Sequence, residues 1–236
     1  MPMKGSGRSS SWREIDRFEG GTGWIAYPDE EMQRASHALV SDGDVWLVDP
    51  VDCDGLDEML AEYGTVRGVV VLLNRHERDA ETLARRHEVP VYVPEWLDDV
   101  RRDVSAPVEP IRRSLADSGY DLHKLVDNRV WKEGVLYDED SETLVVAEAV
   151  GTAAFMRTSD ERLGVHPALR LKPPTALGRY SPERVLVDHG EGVMTGAADA
   201  LADALSGSRK RTPRLYAQTV REFLFRSSVD WRNQEH

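Results

Sequence analysis

The stretch from Val69 to Ala80 constrains the fold more than any other part of the sequence. An apolar run, Val69–Leu73, stops abruptly at a group of polar side chains, and a helical pattern then begins. A short apolar run of this kind is consistent with a buried strand. Open α/β sheets usually place their chemistry just past the carboxyl ends of such strands. We therefore expect Asn74, His76 and Asp79 to lie at a functional edge of a sheet.

The composition narrows the class of protein. At 236 residues the chain can bury a substantial core. No apolar run approaches the ~18–20 residues of a membrane helix, and the polar residues after Met1 do not resemble a secretory signal. Cys53 is the only cysteine, which excludes an intrachain disulfide and a zinc site built from cysteines. A cytoplasmic location and no membrane partner are the expectation.

The charge pattern excludes another class. The formal net charge is -12, and a surface this acidic repels phosphate backbones, so we expect no nucleic-acid partner. The basic residues are almost all arginine. An acidic, lysine-poor composition is typical of halophilic proteins from salt-loving archaea, and an ordinary acidic cytosolic protein is the alternative. The oligomeric state is open.

The order of elements predicts an α/β fold. A hairpin at 38–48 precedes a β-α-β-α-β series that ends near Val93, which implies parallel strands covered by helices. Two further strands, at 130–137 and 143–147, and a last one at 184–187 make a second half of the same kind. These halves predict an αββα sandwich of two mixed β-sheets with outer helices.

A single core is expected, because no long flexible linker divides the chain. Residues 1–18 are predicted to be a disordered or edge lead-in, and residues 19–205 to form the domain. Residues 206–236 are predicted to be a linker, Ser206–Arg211, and a C-terminal helix, Thr212–Phe225, that packs on the domain. The proline-containing segment Gly151–Leu177 is expected to be a long loop or lid.

The ordered set of motifs resembles the metallo-β-lactamase superfamily over roughly 24–205. The resemblance rests on five segments in the family's order: Val45–Asp49, Asn74–Asp79, Val89–Tyr92, Leu144–Glu148 and Val185–Gly190. The second segment corresponds to the family motif H-x-H-x-D-H, the fourth to the strand that ends in a metal-bridging Asp, and the fifth to the last metal-binding His. The resemblance implies this fold and a metal-dependent hydrolase-like site.

The metal ligands that the resemblance implies are largely replaced. Asn74 stands for the first His of the motif, Arg78 for its Asp and Asp79 for its last His, while Glu148 is a longer version of the bridging acid. No His occupies the matching mid-chain stretch 126–129. Two metals are therefore not expected, because the ligands are too few and Arg78 brings a fixed positive charge.

Two descriptions of the site remain open. One divalent ion (Zn, Fe or Mn) could be held by His76, Asp79, His189 and Glu148. Alternatively Arg78 replaces the metal and pairs with Glu148 or Asp79, which is the interpretation that we favour from the sequence. Asp79 could equally be a helix cap.

These descriptions lead to different functions. The first hypothesis is a degenerate site that is catalytically silent or binds a small ligand, with Asn74, Arg78 and Asp49 shaping the cleft. The alternative is a mononuclear hydrolase of a small ester, thioester or lactone, in which Glu148 and Asp79 would be the catalytic residues. A third option is an interaction module that uses the acidic surface and the helix 212–225.

Overall fold

Two mixed sheets face each other in the described part of the chain. The structure is a computed structural model that describes residues 3–5 and 7–233, with side chains through residue 218. The strands of the first sheet, in spatial order, are β1 (Arg13–Phe18), β2 (Gly21–Ile25), β3 (Ala35–Ser41), β4 (Asp44–Val48), β5 (Thr65–Val70), β6 (Val91–Pro94) and β7 (Val108–Ile111). Strands β1 to β4 pair antiparallel, and β4 to β7 pair parallel.

The second sheet repeats this mixture of directions. Its spatial order is β13 (Arg184–Val187), β10 (Thr143–Val146), β9 (Lys132–Asp138) and β8 (Asp121–Asp127). Strands β8, β9 and β10 pair antiparallel, and β13 is parallel to β10. A short antiparallel pair, β11 (Val150–Gly151) and β12 (Gly164–Val165), lies outside both sheets.

Helices cover the outer faces. Helices α1 (Leu56–Ala61), α2 (Ala80–Arg86) and α3 (Asp98–Asp103) join the parallel strands of the first sheet, and α4 (Ala197–Asn233) follows β13. Two 3₁₀ turns, Pro167–Leu169 and Thr175–Arg179, lie between β12 and β13. None of the described helices has both the length and the apolar character that crossing a membrane requires.

Apolar side chains point to both faces of the strands, and they form three apolar layers, one between the sheets and one under the helices on each side. In β4, Val45 and Leu47 pack toward α1 and α2, whereas Trp46 and Val48 pack between the sheets. Successive side chains of a strand point to opposite faces, so one apolar strand supplies two layers. The second sheet packs its outer face against Leu201 of α4. The predicted αββα sandwich of two mixed sheets with outer helices is confirmed.

Several elements differ from the prediction. Residues 13–18, expected in the lead-in, form the edge strand β1. Strand β7 is not predicted by the sequence, because Pro110 indicates a break, yet β7 lies at the sheet edge, where Pro110 need not donate to a ladder. Strand β8 was also missed, because its polar side chains are partly exposed.

The predicted linker Ser206–Arg211 is wrong, because these residues lie inside α4. Ser208 is buried, its hydroxyl donates to the Arg170 carbonyl at 3.1 Å, and the Ser208 carbonyl accepts from Arg170 Nε at 3.3 Å. These tertiary bonds outweigh the low helix propensity of serine and glycine. The predicted helix Thr212–Phe225 continues α4, and its side chains beyond residue 218 lie outside the described residues.

A buried ion pair joins the segment between β11 and β12 to Arg170, which follows β12 and is hydrogen-bonded to Ser208 of α4. Arg170 and Glu161 are both fully buried, and Arg170 Nη2 lies 2.5 Å from Glu161 Oε1. Arg170 Nη1 also donates to the Met156 carbonyl at 2.9 Å. The pair therefore holds the segment that carries Phe155 against the body of the protein.

Removing one partner of this pair should destabilise the protein strongly. We expect Arg170→Met to lower the free energy of unfolding by about 3 kcal/mol, because it leaves the fully buried Glu161 charge with only the more distant Arg211, at 3.7 Å. The double variant Arg170→Met/Glu161→Met should lose clearly less. Urea unfolding followed by circular dichroism measures both. A single variant within about 1 kcal/mol of the wild type would contradict this assignment.

Candidate metal centre

Polar side chains from both sheets meet at one edge of the sandwich. Asp49 follows β4, His76 follows the apolar run that begins in β5, Glu148 follows β10, and Asp188 and His189 follow β13. All five residues are buried. The carboxyl ends of the central strands therefore converge on one site, as expected for a sheet of this kind.

Two carboxylates hold one ring nitrogen of His76. Nδ1 of His76 lies 3.0 Å from Asp188 Oδ2 and 3.4 Å from Asp49 Oδ2. With one of these two carboxylates ionised, Nδ1 carries the proton and donates it to that carboxylate, so Nε2 presents a lone pair. Burial lowers the pKa of His76 well below its usual value, and the Arg78 charge lowers it further, so the ring is neutral. A carboxylate behind a histidine is the usual support of a metal-binding imidazole.

The two acids form a coupled pair. Ligand atoms of Asp49, His76 and Asp188 lie within 4.8 Å of one another, and Asp49 Oδ1 also accepts the Leu72 amide at 3.0 Å. Burial raises the pKa of Asp49 to about 6. Burial, together with the neighbouring Asp49 charge, raises the pKa of Asp188 well above its usual value. The pair readily shares one proton, because two adjacent ionised carboxylates repel each other in a site closed to water.

The Arg78 guanidinium lies behind this pair and binds the main chain around it through its Nη atoms. Its Nη1 donates to the carbonyl of Asp49 at 2.6 Å and to the carbonyl of Ala35 at 2.5 Å, and Nη2 lies 3.5 Å from Asp188 Oδ2. Its side chain is buried. The expected partners, Glu148 and Asp79, are wrong: Arg78 binds main-chain carbonyls and Asp188, because its positive φ of 42° turns the residue toward the start of β3 and the ends of β4 and β13.

The ring of His189 presents its free nitrogen to the same place. Nδ1 lies 2.9 Å from the Met32 carbonyl, which can only accept, so Nδ1 carries the proton. Nε2 is buried and has no hydrogen-bond partner among the described residues. Burial lowers the pKa of His189 to about 3, so the ring is neutral. The Phe155 ring packs edge-on against it, with centroids 5.5 Å apart.

Glu148 completes the group from the second sheet. Its Oε2 lies 3.6 Å from His76 Nε2 and 2.7 Å from Arg75 Nη2, and its Oε1 lies 3.4 Å from His166 Nε2. His166 Nδ1 accepts the Ala168 amide, so Nε2 carries the proton and points it at Glu148. Burial raises the pKa of Glu148 above its usual value despite the opposing Arg75 charge.

Glu133 fixes the main chain at Glu148 by accepting hydrogen bonds from it. Its Oε1 accepts the main-chain amides of Glu148 and Ala149 at 2.8 and 3.0 Å, and its Oε2 accepts Nε1 of Trp131 at 2.7 Å. Burial raises the pKa of Glu133 to about 7. The Trp131 ring in turn lies under Arg75, whose guanidinium carbon is 4.2 Å from its centroid. The position of Glu148 is therefore fixed by both its backbone and its neighbours.

These donors fit one metal ion. Ligand atoms of His76, Glu148 and His189 all lie within 4.8 Å of one another. Two imidazole nitrogens and one carboxylate are the ligand set of a catalytic zinc site that keeps a position for water. The unpartnered Nε2 of His189 beside the Nε2 of His76 is an arrangement that a cation would satisfy and that hydrogen bonds from the described residues do not.

The other residues singled out in the sequence lie elsewhere. Asn74 Oδ1 accepts the Lys132 amide at 3.0 Å, and its Nδ2 donates to the Val130 carbonyl, so Asn74 joins the end of the β5 run to the turn before β9. Asp79 Oδ2 accepts the Asp52 amide at 2.8 Å, and its side chain makes no cap bond to α2. The structure therefore does not bring Asp79 into the donor group, because its place before α2 turns it toward the loop after β4.

Sequence reasoning missed several residues of the site. Asp188 immediately precedes His189 at the end of a strand, a position that could have been recognised. Glu133 is a charged residue inside an apolar strand, which also was a usable signal. His166 lies in an irregular segment, and no pattern in the sequence identifies it.

His37, behind the site, should make stability depend on pH. His37 is fully buried, Nε2 donates to the Val187 carbonyl at 3.0 Å, and burial lowers its pKa to about 4 from 6.5. The stability that this neutral ring contributes is complete above pH 6.5 and is lost as the pH falls toward 4. In His37→Gln the free energy of unfolding should fall less steeply across this range, by up to about 1.4 kcal/mol per pH unit. Urea unfolding at several pH values measures this, and parallel curves for the two proteins would contradict it.

Comparisons with known proteins give the fold. No protein-family model matches the sequence, and no curated protein does. Among solved structures, the metallo-β-lactamase DIM-1 exposed to ceftazidime aligns with a TM-score of 0.60 at 14% identity, over 88% of this chain and 99% of that chain. A metallo-β-lactamase from Hirschia baltica gives 0.58 at 11% identity, over 84% and 97%.

Two further similar structures are a mono-zinc form and a metal-soaked form of their proteins. The mono-zinc form of the metallo-β-lactamase FIM-1 from Pseudomonas aeruginosa gives a TM-score of 0.59 at 8% identity, over 87% of this chain and 98% of that chain. The metal-soaked flavodiiron core of Flv1 from Synechocystis sp. gives 0.59 at 12% identity, over 85% and 61%. At these identities the similarity establishes the fold alone, and the chain has the metallo-β-lactamase fold.

Proposed function

We propose that this protein binds one divalent metal ion through His76, Glu148 and His189 and hydrolyses a small ester, thioester or lactone. The observation that carries the proposal is a pair of buried imidazoles whose Nδ1 atoms both have hydrogen-bond partners, with one ligand atom of each ring and a Glu148 oxygen within 4.8 Å of one another. A buried acceptor without a partner costs about 1–3 kcal/mol. A cation at this point would remove that cost.

The charge balance supports one ion rather than two. The buried acids of the cluster are Asp49, Glu133, Glu148 and Asp188, and the cations beside them are Arg75 and Arg78. With all four acids ionised, one dication balances the cluster, whereas two would leave an excess of positive charge in a largely buried site. Without an ion the acids must take up protons, which agrees with the raised pKa values of all four.

The neighbouring side chains suit this chemistry. A divalent ion in such a site lowers the pKa of a water molecule and polarises a carbonyl group. Asp188 fixes the orientation of His76, and His166 and Glu133 fix that of Glu148. Phe155 and Trp131 contribute aromatic surface beside the donors, and this surface would exclude water around a small acyl group.

The similar structures agree with this proposal in one respect. One of them is described as a mono-zinc form and another as metal-soaked. Both share the fold of this chain, so a single ion in this cleft is compatible with the scaffold. The substrate class and the metal identity of this protein are part of our proposal and are not taken from these structures.

The second candidate is a metal-free, catalytically silent or ligand-binding protein. The observation that favours it is the contact of 2.7 Å between Arg75 and Glu148, in which a guanidinium stands where an ion could neutralise the acid. Arg78 similarly neutralises Asp188. In this case Zn²⁺, Fe²⁺ and Mn²⁺ would all fail to bind.

The metal content of the purified protein separates these candidates. We expect about one metal ion per chain in protein purified without chelator, measured by inductively coupled plasma mass spectrometry, because the site offers three protein ligands. His76→Ala and His189→Ala should each lose the ion and the hydrolysis of p-nitrophenyl acetate, a thioester and a lactone. Chelator should abolish turnover, and added metal should restore it.

His123→Ala is the matched control. His123 lies on β8 against Tyr180 and away from the donor group, so the variant should keep both metal and turnover. Wild-type protein that stays metal-free after incubation with all three ions would reject the proposal in favour of the second candidate.

A further inference from the structure

The two arginines of the cluster have different surroundings. Arg78 is buried, and its guanidinium is bound to main-chain carbonyls and to Asp188. The Arg75 side chain is 37% exposed and belongs to the same turn. One arginine is therefore part of the scaffold, and the other is open to a molecule that enters the cleft.

Arg75 is held in place without using most of its donors. Its flat face lies on Trp131, with the guanidinium carbon 4.2 Å from the ring centroid, and Trp131 is itself fixed by Glu133. Nη2 contacts Glu148 at 2.7 Å. Among the described residues no acceptor faces Nε or Nη1. A guanidinium carries five N–H groups in a rigid fork, so several remain for a ligand.

The position of Arg75 is also informative. Through Glu148 it adjoins the three metal-binding candidates, whose ligand atoms lie within 4.8 Å of one another. A group bound to the candidate ion would therefore come within reach of the Arg75 fork. A fixed cation beside a reacting carbonyl can hold the negative charge that develops on its oxygen.

We propose that Arg75 is the anion-binding residue of the cleft and holds the oxyanion that forms when water adds to the substrate carbonyl. In that addition the water oxygen bonds to the carbonyl carbon, the electron pair of the C=O π bond moves to the oxygen, and one proton of the water leaves to solvent. Arg75 donates to the resulting oxyanion from the edge not used by Glu148. This inference rests on the proposed function and adds to it a second, permanent positive charge.

The test compares Arg75→Gln with the wild type in binding and in turnover. The probe is phenylphosphonate, a tetrahedral anion, titrated by calorimetry into the protein as purified and after chelation. We expect Arg75→Gln to bind it at least about tenfold more weakly in both states, since a hydrogen bond between two charged groups is lost. With p-nitrophenyl acetate, kcat should fall about 10²-fold while KM changes little.

Further variants separate this role from a structural one. Arg75→Lys keeps the charge but not the fork and should lie between the wild type and Arg75→Gln. Millimolar guanidinium should partly restore turnover in Arg75→Ala, which mere stabilisation would not do. Arg112→Gln is the control, because Arg112 is an exposed arginine that pairs with Glu95 far along the chain from the site. It should change nothing.

The possible failures can be told apart. If the wild type binds no metal and hydrolyses nothing, the proposed function fails, but phenylphosphonate binding still tests Arg75. If the wild type does not bind phenylphosphonate, or if Arg75→Gln binds it equally well, the assignment of Arg75 is overturned whatever the metal content. Equal kcat in the wild type and Arg75→Gln would also overturn it.

Discussion

The rest of the site depends on the hydrogen bonds that the Arg78 guanidinium donates to three main-chain carbonyls. It joins the start of β3 and the ends of β4 and β13 by donating to the carbonyls of Ala35, Asp49 and Asp188. These segments belong to both sheets, so one side chain ties the sandwich together at its functional edge. Its charge also lowers the pKa of Asp49 and Asp188, which opposes the effect of burial. These two carboxyl groups orient His76.

In the alignment with the resembled motif, most ligand positions hold other residues, yet three candidate donors still meet in the cleft. Arg78 stands where the motif has an Asp and supplies positive charge there. A second ion would face that charge directly. The Asn74 side chain joins the end of the β5 run to the turn before β9 by two hydrogen bonds. His76, Glu148 and His189 are left, and each is supported by an acid, a carbonyl or another histidine.

Much of the fold could be predicted from the sequence, because alternating and continuous apolar runs identify β4, β5, β10 and β13 and their layers. The edge strand β7 and the long helix α4 could not be predicted, since Pro110 and the Ser206–Arg211 segment have local preferences that tertiary contacts override. Of the candidate site residues, His76, Glu148 and His189 meet. The partner of Arg78 and the roles of Asp188, His166 and Glu133 depend on pairs distant in the chain, which no local pattern specifies.

The central claim is that both imidazoles turn an unprotonated Nε2 toward one shared ion. An anomalous difference map from crystals grown with Zn²⁺ and without chelator tests this most directly. The account predicts a single peak bounded by His76, Glu148 and His189, with Arg78 still bound to the Asp49 carbonyl. Two peaks in the cleft, or none with His189 Nε2 bonded to a protein donor, would contradict it.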